Sequence, residues 1–375
     1  MRNRRAVILA TATPLASIFG SGFLIIVPVL TQAVGSYALV GAAAVCLVAW
    51  FVGNAIRHNV AVIEPAAAAG ALAATERRLE RASDAAVVIA YVISVALYLR
   101  ILAQFVVGYF DSSSIAAQHH VALGCVVLIT VVGVVRGLHG LDVMERVALA
   151  AVLVLVAVMV VVFAGLDLGR LSGDGITLPP APEGGLLNAF LVLGGVVISV
   201  QGFETVRYLP HIPRDVRIAA SRLSQQVSTV VYLLLVGLAT PLMASAVAAG
   251  EDDTLLQLVQ LVAPALVLVL VLCAAGSQFS AAVADTEAGV GNIAALGLHR
   301  LAGWPSYAVV GAVSAALVMT LDTYLIIVVA SRAFAAYYAL QCVIAARTSS
   351  GWRRPAYAAL ASAMTVIALF ARPVG

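Results

Sequence analysis

The chain has 375 residues, of which 63% are apolar and 10% are charged, and its mean hydropathy is +1.07. A water-soluble core cannot bury so much apolar surface, so lipid must be the solvent for most of the chain. The net charge is +3 and every basic residue is arginine. Because the arginines follow the membrane topology described below, their charge indicates no nucleic-acid partner.

Apolar runs recur along the whole chain, and each is long enough to cross a hydrocarbon core of about 30 Å. Windows of about 20 residues give about eleven predicted spans. These lie at roughly 6–30, 36–56, 84–110, 119–136, 147–165, 188–208, 223–248, 255–290, 304–320, 323–346 and 355–371. The runs are continuous and do not alternate, which excludes a transmembrane β-barrel. The predicted fold class is an all-α polytopic membrane protein with one transmembrane domain, residues 1–375.

The arginines predict the orientation in the membrane. If the N-terminus is cytoplasmic, Arg170 and Arg372 fall outside, Arg100 and Arg332 lie within spans, and the other arginines are cytoplasmic. This positive-inside pattern predicts a multi-pass protein of the cell (inner) membrane with its C-terminus outside. A signal peptide is disfavoured because the first apolar run exceeds the usual length of about 7–15 residues.

Two of the predicted spans are interrupted near their middle. Gly20-Ser21-Gly22 interrupts the first span, and Ser-Val-Gln-Gly-Phe-Glu at 199–204 interrupts the sixth. Spans that are five apart have opposite orientations, and such a pair of interruptions is typical of inverted-repeat transporters. The third and eighth runs, also five apart, are unusually long. We therefore predict a 5+5 inverted repeat with broken helices 1 and 6: repeat one at about 6–165, repeat two at about 188–346, and an extra C-terminal helix at about 355–371.

A break inside a membrane helix offers binding groups at the bilayer midplane. The N-terminus of a half-helix suits an anion, and the preceding carbonyls suit a cation. Ser21 and Gly22 could therefore hold a carboxylate, whereas carbonyls near 17–19 and 198–200 could hold an amine or Na⁺. Close helix packing is the alternative explanation for Gly-Ser-Gly in a membrane helix.

Two motifs resemble a known family. "GSGFLIIVP" at 20–28 resembles the first-helix motif of the amino acid–polyamine–organocation (APC) superfamily, and "QGFETVRYLP" with "IPRDVRIA" at 201–219 resembles its sixth helix and following loop. The proline after Gly-Ser-Gly comes one residue late, the loop lacks a second proline, and twelve spans are commoner than eleven. The resemblance implies a ten-helix inverted-repeat core, alternating access, and an amino acid or related amine at the breaks.

The resemblance also assigns roles to single residues. Ser21 and Gly22 match the family's carboxylate-binding amides, Phe203 matches the aromatic gate, and Glu204 matches the acid of the sixth-helix break. Tyr98 on the third span could line the site with its hydroxyl. The predicted substrate-binding residues are Ser17, Ile18, Gly20, Ser21, Gly22, Ser199, Gly202, Phe203 and Tyr98.

Five ionisable residues lie well inside predicted spans: Arg100, Glu204, Asp285, Glu287 and Arg332. Such residues are costly in a bilayer and mark pathways or ion relays. By the resemblance, Thr286 matches a small hydroxyl residue of the Na⁺ site found in sodium-coupled relatives. The predicted coupling or ion site therefore comprises Glu204, Asp285, Thr286 and Glu287. H⁺ is favoured over Na⁺ because a carboxyl group removed from water takes up a proton more readily. An ion pair of Asp285 or Glu287 with Arg100 is the alternative, and Arg332 is predicted to be structural.

These features together predict an ion-coupled secondary transporter in the lipid bilayer, with an amino acid or related small amine as its substrate. They predict no cofactor beyond the coupling ion, H⁺ or Na⁺, and no metal site. An inorganic cation transporter that uses the same breaks is the alternative function. An enzyme is disfavoured because the six histidines show no HExxH-type spacing. A non-transporting sensor of the same fold stays open, and nothing in the sequence indicates an oligomeric state.

Overall fold

The structure is a computed structural model that describes residues 2–110, 114–137, 142–172, 175–181, 186–209, 212–244, 254–296 and 300–373. Every regular element in these ranges is a helix. The α-helices are α1 Arg2–Val34, α2 Ala38–Ala68, α3 Ala74–Tyr109, α4 Ile115–Arg136, α5 Asp142–Leu171, α6 Leu186–Gly194, α7 Arg214–Met243, α8 Thr254–Val262, α9 Val267–Ala295, α10 Trp304–Thr320, α11 Thr323–Thr348 and α12 Arg353–Phe370.

The helices have the lengths and composition of membrane spans. Within the described ranges, seven helical stretches are long and apolar enough to cross a bilayer, judged by length and composition, and α10 is a shorter apolar helix. Many apolar side chains on the outer faces are exposed, as lipid-facing side chains would be. The all-helical membrane architecture is therefore confirmed, whereas the number of eleven spans and the inverted repeat stay predictions.

The predicted break in the first span is wrong. α1 is one continuous helix that passes through residues 20–22. A glycine costs a helix only about 1 kcal/mol relative to alanine. Neighbouring helices also bond to the backbone here, since the Tyr232 hydroxyl donates to the Ile18 carbonyl at 2.8 Å and the Gln278 amide donates to the Gly20 carbonyl. The first span therefore presents no half-helix ends at this point.

The predicted break in the sixth span is present. α6 ends at Gly194, and two short 3₁₀ turns follow at Val197–Val200 and Phe203–Tyr208. Gln201 and Gly202 between the turns are not helical. Gly202 has a φ of +124°, a conformation that strongly favours glycine. The backbone therefore crosses the middle of this span in an irregular form.

The eighth predicted span is shorter than expected. The run 255–290 divides into α8, which ends at Val262, and α9, which follows a 3₁₀ turn at Pro264–Leu266. Proline has no N–H to continue the helix, and Ala263 before it adopts φ −151° and ψ 60°. The third span is longer than expected, since α3 has 36 residues and begins at Ala74 instead of near residue 84. α3 packs more extensively against α9 than any other two helices pack in the described chain.

α1 lies at the centre of the fold. It contacts α5, α7, α9 and both 3₁₀ turns of the sixth span. Its side chains Ile18, Phe19 and Phe23 are almost completely buried. The fold therefore holds the middle of α1 against the irregular part of the sixth span, where the candidate site lies.

Candidate functional site

The middle of α1 and the break of the sixth span touch backbone to backbone. A Cβ added to Gly202 would lie 2.6 Å from the Ile18 nitrogen and 2.8 Å from Ser17 Oγ. A Cβ added to Gly22 would lie 2.2 Å from the Ser199 carbonyl oxygen. The structure thus brings together the two segments that the sequence motifs single out, and glycine is what permits the contact.

Several buried side-chain oxygen atoms near this contact have no hydrogen-bond partner among the residues that the structure describes. They are Oγ of Ser17 and Ser199, Oε1 of Gln201 and Gln278, and Oε1 of Glu204. Each of these atoms can accept a hydrogen bond or ligate a cation. Buried polar groups are normally satisfied, so a cluster of unsatisfied acceptors is typical of a site that receives donors from a ligand.

Glu204 lies at the centre of this group and is completely buried. Its Oε2 atom accepts a hydrogen bond from the Gly202 N–H at 2.8 Å and another from the Tyr338 hydroxyl at 3.0 Å. The Glu204 carboxyl is therefore held by the break itself on one side and by α11 on the other.

Asp285 on α9 is the second buried carboxyl, and it is 4% exposed. It accepts a hydrogen bond from the Ser94 hydroxyl and also bonds to Tyr98. The Tyr98 hydroxyl in turn accepts a hydrogen bond from the Gln201 amide at 2.7 Å. Asp285 is thus connected through α3 to the sixth-span break.

The other residues of the predicted coupling site have different surroundings. The Thr286 hydroxyl donates to the Ala282 carbonyl of its own helix at 2.7 Å. Glu287 is half-buried and lines a cavity. Glu204 and Asp285 are therefore both connected to the break by hydrogen bonds, and Glu287 lines the cavity beside it.

The cavity has a volume of about 670 Å³ and lies beside the site. Its lining includes Ser17, Gly20, Glu145, Arg207, Asp285 and Glu287. These residues belong to the middle of α1, the start of α5, the end of the sixth span and the second half of α9. The arginine pattern predicts that the last three of these segments lie towards the cytoplasmic side of the membrane. The one arginine in this lining forms an ion pair with Glu80 at 2.5 Å. The cavity is therefore acidic, and it leads from the predicted cytoplasmic side towards the break.

Some predicted residues do not have the expected positions. Phe203 stacks on Tyr338, with ring centroids 5.5 Å apart and planes at 18°, and it lines an apolar groove instead of the cavity. The Ile18 carbonyl is occupied by Tyr232. The side chain of Ser21 lies outside the part of the chain that the structure describes.

Arg332 bonds to the backbone that follows α12, and its structural role stays a prediction. Its Nε donates to the Ala371 carbonyl at 3.0 Å. This bond ties α11 to the end of α12.

Several residues of the site are not singled out by the sequence. Gln201 bonds to Tyr98 at the break, and Gln278 bonds to the Gly20 carbonyl of α1. The Tyr91 hydroxyl is buried without a hydrogen-bond partner among the described residues, and Glu145 lines the cavity. The two glutamines carry a usable signal, since a polar amide inside an apolar run is itself costly. Tyr91 and Glu145 carry none, because an aromatic residue in a span and an acid at a span end are both common.

The chain matches the family described as APC superfamily transporter over residues 2–371. It therefore belongs to the APC superfamily and is a multi-pass membrane transporter. An Aquifex aeolicus (strain VF5) protein described as an uncharacterized protein is 34% identical over 339 residues, which is 89% of this chain and 82% of the relative.

Solved structures share the fold at low sequence identity. Crystal structures of two mutants of the Eremococcus coleocola manganese transporter have TM-scores of 0.63 and 0.62 at 13% identity, covering 98% of this chain and 86% of theirs. The same transporter in complex with an aromatic bis-isothiourea substituted compound has a TM-score of 0.61. At this identity the likeness shows a common fold and does not transfer a substrate.

Proposed function

We propose that the protein is a secondary transporter of a small substrate with a positively charged amino group, such as an amino acid or a related amine, and that transport is coupled to H⁺. The single observation that carries this proposal is the cluster of buried, unsatisfied oxygens around Glu204 at the contact between α1 and the sixth-span break. We place the protein in the cell (inner) membrane with a cytoplasmic N-terminus and an external C-terminus.

An ammonium group complements this cluster. It carries three N–H donors and no acceptor, so it can satisfy several of the buried oxygens at once. Hydrogen bonds from a charged donor to a carboxylate are also stronger than neutral ones. By contrast, the N–H groups of α1 are engaged in a continuous helix, and the Gly202 N–H bonds to Glu204. These N–H groups are therefore not available to bind a substrate carboxylate. The proposed site therefore recognises the positive end of its substrate.

The two buried carboxyls give a basis for coupling. Glu204 and Asp285 lie close enough for their charges to interact. Two carboxylates in a low-dielectric site cannot both ionise cheaply, so one positive charge, either a proton or the substrate, stabilises the pair. If the carboxyl pair holds a proton and a cationic substrate in turn, the movement of H⁺ across the membrane is coupled to the movement of the substrate. Na⁺, which takes oxygen ligands, is the alternative coupling ion.

An inorganic cation is the second candidate substrate. The oxygens of Glu204, Asp285 and the neighbouring serines are hard ligands, and the fold is shared with a manganese transporter. Among the described residues, no group of three or more His, Cys, Asp or Glu side chains is placed to hold a metal ion. We therefore keep the amine as the favoured substrate.

Thermal stabilisation of the purified protein tests both candidates. A ligand at a concentration of about 100 times its Kd stabilises the folded state by about 2.7 kcal/mol. The panel contains amino acids, amines, and monovalent and divalent metal cations. The variants are Glu204→Gln and Asp285→Asn, and the matched control is Asp322→Asn, which changes an exposed helix cap.

The outcomes separate the two substrates. Stabilisation by an amine that disappears in Glu204→Gln and persists in Asp322→Asn supports the proposal. Stabilisation by a metal cation alone, lost in Asp285→Asn, replaces the amine with an inorganic cation. If Glu204→Gln responds to the amine as the wild type does, the site is wrongly placed.

A further inference from the structure

Arg207 presents an unused hydrogen-bond donor at the wall of the cavity. It belongs to the 3₁₀ turn Phe203–Tyr208 that follows the break, and it is part of the cavity lining. Its side chain is 8% exposed, and its Nη2 atom pairs with Glu80 Oε2 at 2.5 Å. Its Nη1 atom is buried and has no hydrogen-bond partner among the described residues. The ion pair with Glu80 therefore leaves part of the guanidinium group unsatisfied.

Tyr91 on α3 supplies a second unused donor in the same lining. Its side chain is completely buried, and its hydroxyl has no hydrogen-bond partner within the described chain. Its ring packs edge-to-face with that of Tyr208, the residue after Arg207, with centroids 6.1 Å apart and planes at 77°. Buried polar groups are normally satisfied. These two donors therefore indicate a ligand group that accepts hydrogen bonds.

A carboxylate complements these two donors. An ionised carboxylate only accepts hydrogen bonds, and the planar donors of arginine match its two oxygens. The sequence predicts a carboxylate site at Ser21 and Gly22, but α1 is one continuous helix there, so its N–H groups are engaged. Arg207 and Tyr91 offer the carboxylate a different position, on the sixth span and α3.

The donors and the acidic groups of the site are offset along the sixth span. Glu204 and Arg207 are three residues apart in one 3₁₀ turn, so their side chains leave the turn on the same side, about 6 Å apart along its axis. Ser17 and Asp285 add oxygen atoms to the cavity lining. The cavity volume of about 670 Å³ lies within the range of about 300–1,000 Å³ that is typical of small-molecule sites. The cavity can therefore receive a molecule that carries both an ammonium and a carboxylate group.

We propose that Arg207 and Tyr91 bind the carboxylate of the substrate, and that they select an amino acid over the corresponding amine. This inference rests on the proposed function, because it assigns the second charged group of the same substrate. A zwitterion brings its own positive charge, so its carboxylate can share Arg207 with Glu80 without adding net charge to the site. A simple amine leaves both donors unsatisfied, and unsatisfied buried donors lower affinity.

Binding of matched ligand pairs to the purified protein tests this assignment. The pairs are alanine and ethylamine, leucine and 3-methylbutylamine, and phenylalanine and phenethylamine. Each pair consists of an amino acid and the amine that lacks only its carboxylate. Thermal unfolding at increasing ligand concentration gives an apparent Kd for each compound.

Two variants remove the proposed donors. Arg207→Gln combined with Glu80→Gln removes the guanidinium group without leaving an unpaired buried carboxylate. Tyr91→Phe keeps the ring and removes the hydroxyl, and it tests the assignment by itself if the double variant does not fold. The matched control is Arg347→Gln combined with Glu76→Gln, which removes another ion pair of α3, at 2.9 Å, outside the cavity lining.

The wild type should bind the amino acid of at least one pair about 10- to 100-fold more tightly than the amine, since a hydrogen bond to a charged group contributes a factor of this size. The Arg207 and Glu80 double variant should lose this preference and keep its affinity for the amine. Tyr91→Phe should reduce the preference about tenfold, and the Arg347 and Glu76 control should keep it.

The opposite results are equally specific. Equal affinity of the wild type for amino acid and amine, with binding lost in Glu204→Gln, would overturn this inference and leave the proposed function intact. A full preference in the double variant or in Tyr91→Phe would also overturn it, and Arg207 would then only link α3 to the sixth span. Binding of neither member of any pair would overturn both proposals.

Discussion

Gly22 is the position where the contact between α1 and the sixth-span break can be tested most sharply. A Cβ at this position would lie 1.8 Å from Tyr232 Oη and 2.2 Å from the Ser199 carbonyl oxygen, whereas ordinary contact begins at 3.4 Å. The tyrosine hydroxyl can shift, but the Ser199 carbonyl is backbone. Gly22→Ala therefore forces α1 and the sixth span apart.

The cost follows from these contacts. Overpacking of this kind costs about 1–3 kcal/mol. Displacing Tyr232 also loses its 2.8 Å hydrogen bond to the Ile18 carbonyl, which is worth about 1 kcal/mol. Alanine returns about 1 kcal/mol through its better helix propensity. We expect a net loss of about 1–3 kcal/mol, seen as a lower thermal unfolding midpoint of the purified protein.

The matched control is Gly165→Ala on α5, where an added Cβ meets no atom within 4 Å. This change should be neutral or slightly stabilising. In a Tyr232→Phe background, Gly22→Ala should cost less than in the wild type, because the hydroxyl at 1.8 Å is gone, whereas the ring carbon Cζ at 2.6 Å and the Ser199 carbonyl oxygen at 2.2 Å remain. If Gly22→Ala unfolds at the same temperature as Gly165→Ala, the two segments do not touch as described.

Three further changes probe the surroundings of the site. Arg207→Gln leaves Glu80, whose side chain is 15% exposed, without its ion-pair partner at 2.5 Å. The unfolding midpoint should fall by the equivalent of about 3–5 kcal/mol. Adding Glu80→Gln to the same chain should restore part of the lost stability. Gly202→Ala places a side chain at φ +124° with the Ile18 nitrogen 2.6 Å from its Cβ; size-exclusion chromatography should show loss of the monodisperse peak. Tyr338→Phe removes one hydrogen bond from Glu204; thermal unfolding should show a loss of about 1–3 kcal/mol, and a smaller loss in a Glu204→Gln background.

The break of the sixth span could be predicted because its cause is local. Gly202 adopts a backbone conformation that favours glycine, and it lies next to polar residues that interrupt an apolar run. The continuity of α1 could not be predicted in the same way. It depends on Tyr232 and Gln278, which bond to α1 carbonyls from positions more than 200 residues away in the chain.

The sequence predicts those site residues whose side chains are energetically costly to place in a membrane. Glu204 and Asp285 stand out because ionisable groups are rare inside spans, and the structure places both beside the break. The direction of the Phe203 ring was not predictable, because its stacking partner Tyr338 lies on a helix that is distant in sequence. Glu145 joins the cavity lining through the packing of α5 beside α1 and α9.

The most direct test of the central claim is uptake of the stabilising amine into proteoliposomes under an imposed pH gradient. The wild type and Asp322→Asn should accumulate the amine, and accumulation should stop when a protonophore dissipates the gradient. Glu204→Gln should fail to accumulate it under the same gradient. Accumulation by Glu204→Gln at the wild-type rate, or accumulation that ignores the gradient, would contradict a proton-coupled site at the contact between α1 and the sixth-span break.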